Sequence, residues 1–162
     1  MLSFTSNSRL GRGLLLAAVV AGASAFALPA LAGECPADQK KPNAREAVDF
    51  KPVGVTDTVI ASIDVSKAPF NIDGRNFRMR KLTIEPGGIV PWHSHDDRPA
   101  IIYVAEGEIV EYASNCAVPI VHKAGETRPE TSGTSHWWQN LGNRTVILFV
   151  GDVLHDRTDK NM

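Results

Sequence analysis

The chain's five histidines all lie between residues 93 and 155, and two of them form the pair His93-Ser94-His95. Along an extended segment side chains alternate faces, so both imidazoles of an H-x-H pair point the same way. Two neutral imidazoles on one face make half of a binding site for Fe, Mn, Zn, Cu or Ni. By itself the pair is weak evidence, because two surface histidines would look the same. Three further histidines, His122, His136 and His155, follow it. Other chemistries find no support. The chain has no G-x-S-x-G elbow, no G-x-x-x-x-G-K-[ST] phosphate cradle and no G-x-G-x-x-G, so serine hydrolase, nucleotide-binding and Rossmann readings fall away.

The elements that must position these side chains read as short strands. From Val55 the pattern has period two, with Val55, Val59, Ala61, Ile63 and Val65 expected on one side. Similar runs recur at 76–84, 89–94, 100–105, 108–114, 117–122, 134–139 and 145–154. Turn signals separate them, among them Asp73-Gly74, Pro86-Gly87-Gly88, Glu106-Gly107, Ala124-Gly125 and Ser132-Gly133. No long 3.6-period stretch competes. The expectation is an all-β single domain, with a jelly roll of about eight strands the best fit to this length.

Before the strands comes a different kind of sequence. Arg9 and Arg12 precede an apolar, Ala-rich run beginning at Leu14, which ends at Leu28-Pro29-Ala30-Leu31-Ala32. That is the layout of a secretory signal peptide with cleavage near Ala32-Gly33, and it predicts a periplasmic or secreted protein. Gly22, Ser24 and Pro29 interrupt the run, against the rival reading of a membrane anchor. The expected organisation is a leader at 1–32, an irregular polar arm at 33–53 containing Pro36, Pro42 and Pro52, a barrel at 54–156 and a tail at 157–162. The whole chain carries a net charge of −1, with no basic patch to draw it to nucleic acid or an anionic membrane. Two cysteines, Cys35 and Cys116, follow the leader. A disulfide between them and a buried Cys116 with a loose Cys35 are both open readings.

The spacing around the histidines resembles that of the cupin superfamily, whose motifs are G-x5-H-x-H-x3,4-E-x6-G and G-x5-P-x-G-x2-H-x3-N. Gly87, His93, His95 and Gly107 fall on the first; Gly125, Gly133, His136 and Asn140 fall on the second. The resemblance covers residues 87–140 closely. It implies a cupin jelly-roll β-barrel and a metal held by His93, His95 and His136. Two positions depart from the pattern: Ala100 stands where the family has its Glu ligand, and Thr131 where it has Pro. Asp97 shares parity with His93 and His95 and is a candidate fourth ligand, although Asp96-Asp97-Arg98-Pro99 reads as a turn.

Ala100, Ile102, Val104 and Trp138 are the expected pocket lining. Arg80 and Arg98 are candidate carboxylate anchors, but a solvated arginine is the commoner reading of each. His122 is expected to play no part in the site, and Asn140 to support a turn. A three-His site resembles those of cupin dioxygenases acting on thiols, diketones or hydroxylated aromatic acids, which favours Fe(II), with Mn, Zn, Ni or Cu as alternatives. The rivals are a module that binds or senses a small molecule or metal without turnover, and a sugar isomerase or epimerase using Glu108, Glu111 or Glu130 as base. Small cupins also resemble homodimers.

Overall fold

A computed structural model describes residues 33–155 apart from positions 71 and 73. The leader, its cleavage site and the 157–162 tail lie outside the described residues. The chain forms a curled sheet of eight strands: β1 (Val53–Asp64), β2 (Asn76–Ser94), β3 (Ala100–Glu106), β4 (Glu108–Ala113), β5 (Ile120–Lys123), β6 (Thr127–Glu130), β7 (Ser135–Gln139) and β8 (Val146–Leu154). Their order is β5-β4-β7-β2-β8-β3-β6, with β1 paired to β2. All pairings are antiparallel. The expected all-β jelly-roll architecture is therefore the one observed.

β2 organises the barrel. Its first half pairs with β8 from Asn76 to Ile84, and its second half with β7 from Ile89 to Ser94. Pro86-Gly87-Gly88 lies between, so this turn signal marks a corner inside one strand and not the end of two. Gly87 has a φ of +77°, and a Cβ on Gly88 would stand 2.7 Å from Ile84 Cγ2 and 2.8 Å from the Glu85 carbonyl. Only glycine lets the backbone fold this tightly.

Alternation then sorts the side chains. On β8, Val146, Leu148, Val150, Asp152 and Leu154 are buried while the residues between them are not. Val146, Leu148 and Val150 join Leu82, Ile84, Val90, Ile102, Val104, Ile109 and Trp138 in the core. β1 departs from its period-two expectation. A register shift between Val59 and Ala61 changes its parity, so Val55 pairs with inward Ile84 whereas Ala61 and Ile63 pair with Met79 and Phe77 on the outer surface. The outer face of β1, β2 and β3 leaves Ile63, Phe77, Met79, Ile101 and Tyr103 exposed.

The polar arm is tied down. Cys35 and Cys116 form a disulfide, and with Ala113 and Ile120 they make a small second cluster. The arm also donates from Gly33 N to Val121 O.

Candidate metal centre

Three sequence choices bring the histidines together. His93 and His136 are Cα partners across β2 and β7, so register alone sets them face to face. His95 lies one residue past the end of β2, where its backbone N–H donates to Thr134 O at 3.0 Å. This contact closes the His93-Ser94-His95 segment onto the loop that leads into β7. All three rings are buried, with centroids 4.6 to 5.0 Å apart.

The other nitrogen of each ring decides what those rings can do. His93 Nδ1 lies 2.9 Å from Pro91 O, His95 Nδ1 2.9 Å from Arg98 O, and His136 Nδ1 2.7 Å from Glu111 Oε1. Carbonyl oxygens only accept hydrogen bonds, so His93 and His95 donate from Nδ1. Burial would raise the pKa of Glu111, but hydrogen bonds from His122 and His136 outweigh it and hold the carboxyl well below its usual range. His136 Nδ1 therefore donates as well. In the neutral rings every Nε2 is then a bare lone pair. The three lone pairs converge, His136 Nε2 standing 3.1 Å from His95 Nε2 and 3.2 Å from His93 Nε2. The Trp138 indole N–H points at His136 Nε2 from 3.3 Å, as toward an acceptor.

A carboxylate completes the cluster from an element that the strand pattern concealed. Glu130, at the end of β6, is the direct cross-strand partner of Ala100 on β3. Its Oε2 lies 2.7 Å from His95 Nε2, yet neither of its buried oxygens accepts a hydrogen bond. A buried carboxylate beside three lone pairs is strongly unfavourable unless a cation sits among them. Two nitrogens bound about 2.1 Å from one ion are separated by roughly 3.0–3.4 Å, and the Nε2 spacings match. His93, His95, Glu130 and His136 could hold a metal ion: one ligand atom from each lies within 4.8 Å of the others. The mixed imidazole and carboxylate donors suit a divalent transition metal.

Electrostatics separates the rings. Burial, helped by the neighbouring His136, pushes the pKa of His93 well below its usual value. Burial acts the same way on His136, but Glu130 and Glu111 outweigh it and raise that ring. In the metal-free protein a proton on His136 can serve as the cation that the cluster needs.

Above the cluster is a cavity of about 20 Å³ whose walls include Arg80, Val90, Ile102, Trp138 and Leu148. It has room for about one water-sized ligand. Of the expected lining, Ile102 and Trp138 border it, whereas Ala100 and Val104 are buried in the adjoining core. Arg80 is buried and paired with Asp57 and Asp152, not solvated. Arg98 is buried too, and its carbonyl serves His95. Asn140 holds its turn, donating to Ile84 O and Arg144 O and accepting from Gly142 N.

Asp97 stands apart from the cluster as the expected turn residue. Its carboxylate is 64% exposed and pairs with Arg75 and His155. The chain bends away after Ser94, so the parity that would have aligned Asp97 with His93 does not persist. Sequence analysis offered Glu130 only as a base and gave His122 no part in the site. Glu130 was hidden because Pro129 argues against a strand, yet β6 is an edge strand, where a missing N–H is tolerated. His122 is fully buried and lies 2.8 Å from Glu111 Oε2, one step behind His136. The alternation of β4 and β5 was the only available signal for that contact.

Parts of the chain are similar to known proteins. Residues 80–151 match the cupin domain family. A germin-like protein from Morus alba is 29% identical over 82 residues, covering 49% of this chain and 39% of that one. The match thus spans well under two thirds of the relative. Among solved structures, a predicted oxalate decarboxylase from Thermotoga maritima aligns with a TM-score of 0.49 at 19% identity, over 75% of this chain and 98% of that one. The Schizosaccharomyces pombe Cnp3 cupin domain aligns at 0.47 with 14% identity, over 67% and 70%. Both motifs stand on the strands that carry them, within the stretch over which the chain is similar to the cupin domain family.

Proposed function

We propose that this chain is an exported cupin oxidoreductase of the dioxygenase type, acting on a small organic substrate at one divalent transition metal, Fe(II) first. His93, His95, His136 and Glu130 would hold the ion. The observation that carries the reading is the convergence of three Nε2 lone pairs on a buried carboxylate whose oxygens accept no hydrogen bond. A bound Fe(II) supplies an electron conduit and a template on which an organic substrate can meet dioxygen. Four protein donors would leave room on the ion for exogenous ligands. Val90, Ile102, Trp138 and Leu148 give the cavity apolar walls, and Arg80, held by Asp57 and Asp152, presents a cationic one.

An isomerase needs a carboxylate free to act as base, and the candidates are committed elsewhere. Glu108 is 56% exposed beside Lys123, Glu111 serves two histidines, and Glu130 belongs to the cluster. The cavity's small volume favours one second reading, a module that takes up metal or a small ligand without turnover. Export is supported by the Cys35–Cys116 disulfide, a bond that persists in oxidising compartments. Among the described residues no helix is long and apolar enough to cross a membrane.

The test is to load purified protein with Fe(II) and follow oxygen consumption over a panel of phenols, diketones and thiols. Turnover that disappears with His136→Ala is expected. Stoichiometric metal with no oxygen consumed on any of them would favour the binding module, and absence of metal uptake would overturn the oxidoreductase and the metal-binding module alike.

A further inference from the structure

Behind His136 lies a buried assembly that the four candidate ligands do not include. Glu111, on β4, is fully buried. Its Oε1 accepts from His136 Nδ1 at 2.7 Å, and its Oε2 accepts from His122 Nε2 at 2.8 Å, with Arg128 Nε 3.5 Å from Oε2. Both carboxylate oxygens are thus directed, one at a candidate ligand and one at a histidine that cannot reach the cluster. His122 is itself braced. Its ring lies against Trp138, centroids 4.6 Å apart, and Trp138 borders the cavity. On its other side the arm passes so close that a Cβ on Gly33 would lie 3.2 Å from His122 Nδ1.

We propose that Glu111 is a positioning residue for the metal centre, fixing His136 in its Nδ1–H tautomer and aiming its Nε2 at the ion, with His122 as the strut that orients Glu111. The proposal rests on the metal-centre reading above. Its logic is geometric. His93 and His95 are oriented by neutral backbone carbonyls three or fewer residues away. His136 comes from a different strand and has no such carbonyl, so its orientation depends on a side chain. That side chain is anionic, which makes His136 the most strongly donating of the three rings. It also places a second negative charge within one ring's width of a divalent ion.

The test uses Co(II) as probe, with affinity measured by chelator competition and ligand field by visible absorption. Glu111→Gln keeps the size and an acceptor oxygen for His136 but removes the charge. It is expected to bind Co(II) about 10- to 100-fold more weakly and to shift the ligand-field bands, both read at urea-free conditions where the metal-free variant is folded, although its urea midpoint falls with the lost charge. His122→Phe, which keeps the contact with Trp138, is expected to weaken binding by less. Equal affinity and unchanged bands in Glu111→Gln overturn the proposal. A readout on the unaltered chain guards against misfolded variants: ring nitrogen NMR of the Zn(II)-loaded protein is expected to find an exchange-protected proton on His136 Nδ1, and a bare Nδ1 there overturns it. A wild-type protein that takes up neither Co(II) nor Zn(II) sinks the metal reading itself, and this proposal with it.

Discussion

Moving the carboxylate from residue 130 to residue 100 is the sharpest test of the centre. The two positions are cross-strand partners on the inner face, whose Cβ atoms in such pairs lie about 4.5–5.5 Å apart. Ala100→Glu alone would set two buried carboxylates face to face. At about 5 Å and an effective dielectric constant near 20, their repulsion is about 3 kcal/mol. Crowding a 6%-exposed site adds about 1–3 kcal/mol. The single variant is therefore expected to lose much of its stability when metal-free. Glu130→Ala removes a ligand, and its cost in metal affinity should be no smaller than the roughly 10- to 100-fold loss typical of residues one shell further out. The double variant, Ala100→Glu with Glu130→Ala, restores one carboxylate on the same face without the repulsion. It should recover most of the lost affinity and most of the lost stability. Metal stoichiometry, chelator competition and urea denaturation on the four proteins measure both quantities. If Glu130→Ala binds metal as tightly as wild type, the carboxylate is not a ligand and the reasoning fails. If the double variant behaves as the plain sum of the two singles, the two positions do not share a site.

Other consequences follow from the same geometry. In the metal-free protein His93 has a lowered pKa, so the unfolded chain takes up its proton first; this contribution is present above pH 6.5 and is lost as pH falls below it, with Glu111 adding a further loss below 4.5. His136 is raised, so its contribution is present below 6.5 and fades as pH rises through its folded value. Urea midpoints of the metal-free protein should therefore peak near neutrality, and Zn(II) should abolish the alkaline decline, because the ion replaces the proton on His136; a metal-independent pH profile would contradict this. Reducing the Cys35–Cys116 bond, whose partners are 81 residues apart, should cost about 4–5 kcal/mol by urea denaturation; a loss below 1 kcal/mol would mean the arm is held without it. Ile63, Phe77, Met79, Ile101 and Tyr103 make an exposed apolar outer face, so the chain is expected to run as a homodimer in light scattering and Ile63→Lys with Ile101→Lys as a monomer; a monomeric wild type refutes the dimer.

Much of this protein is legible from local pattern. The alternation of β8 and the H-x-H pair each state a face, and a face is what a strand needs in order to pack. His136 was readable because its spacing places it in the second motif. What could not be read depends on register between distant strands. The parity change in β1 comes from a bulge that no residue type announces. Gly87-Gly88 looks like a turn and is a corner, because β2 changes partner there from β8 to β7. Glu111 is an ordinary acid among alternating residues until β4 is set beside β7 and β5. Then both of its oxygens find imidazoles.

The exchange at residues 100 and 130 carries a more general point about where a ligand is encoded. A sequence motif records which strand supplies a donor, but an ion responds only to which donors face it. Antiparallel pairing makes neighbouring strands near-equivalent sources, since cross-strand partners share one face and lie within a side chain's reach. Ala100 on β3 is small, and Glu130 on β6 lies directly across from it. A carboxylate thus stands beside the histidines at residue 130, one strand across from the motif position at residue 100. The loss of a motif residue therefore predicts the loss of a site only after the partners of that residue have been identified.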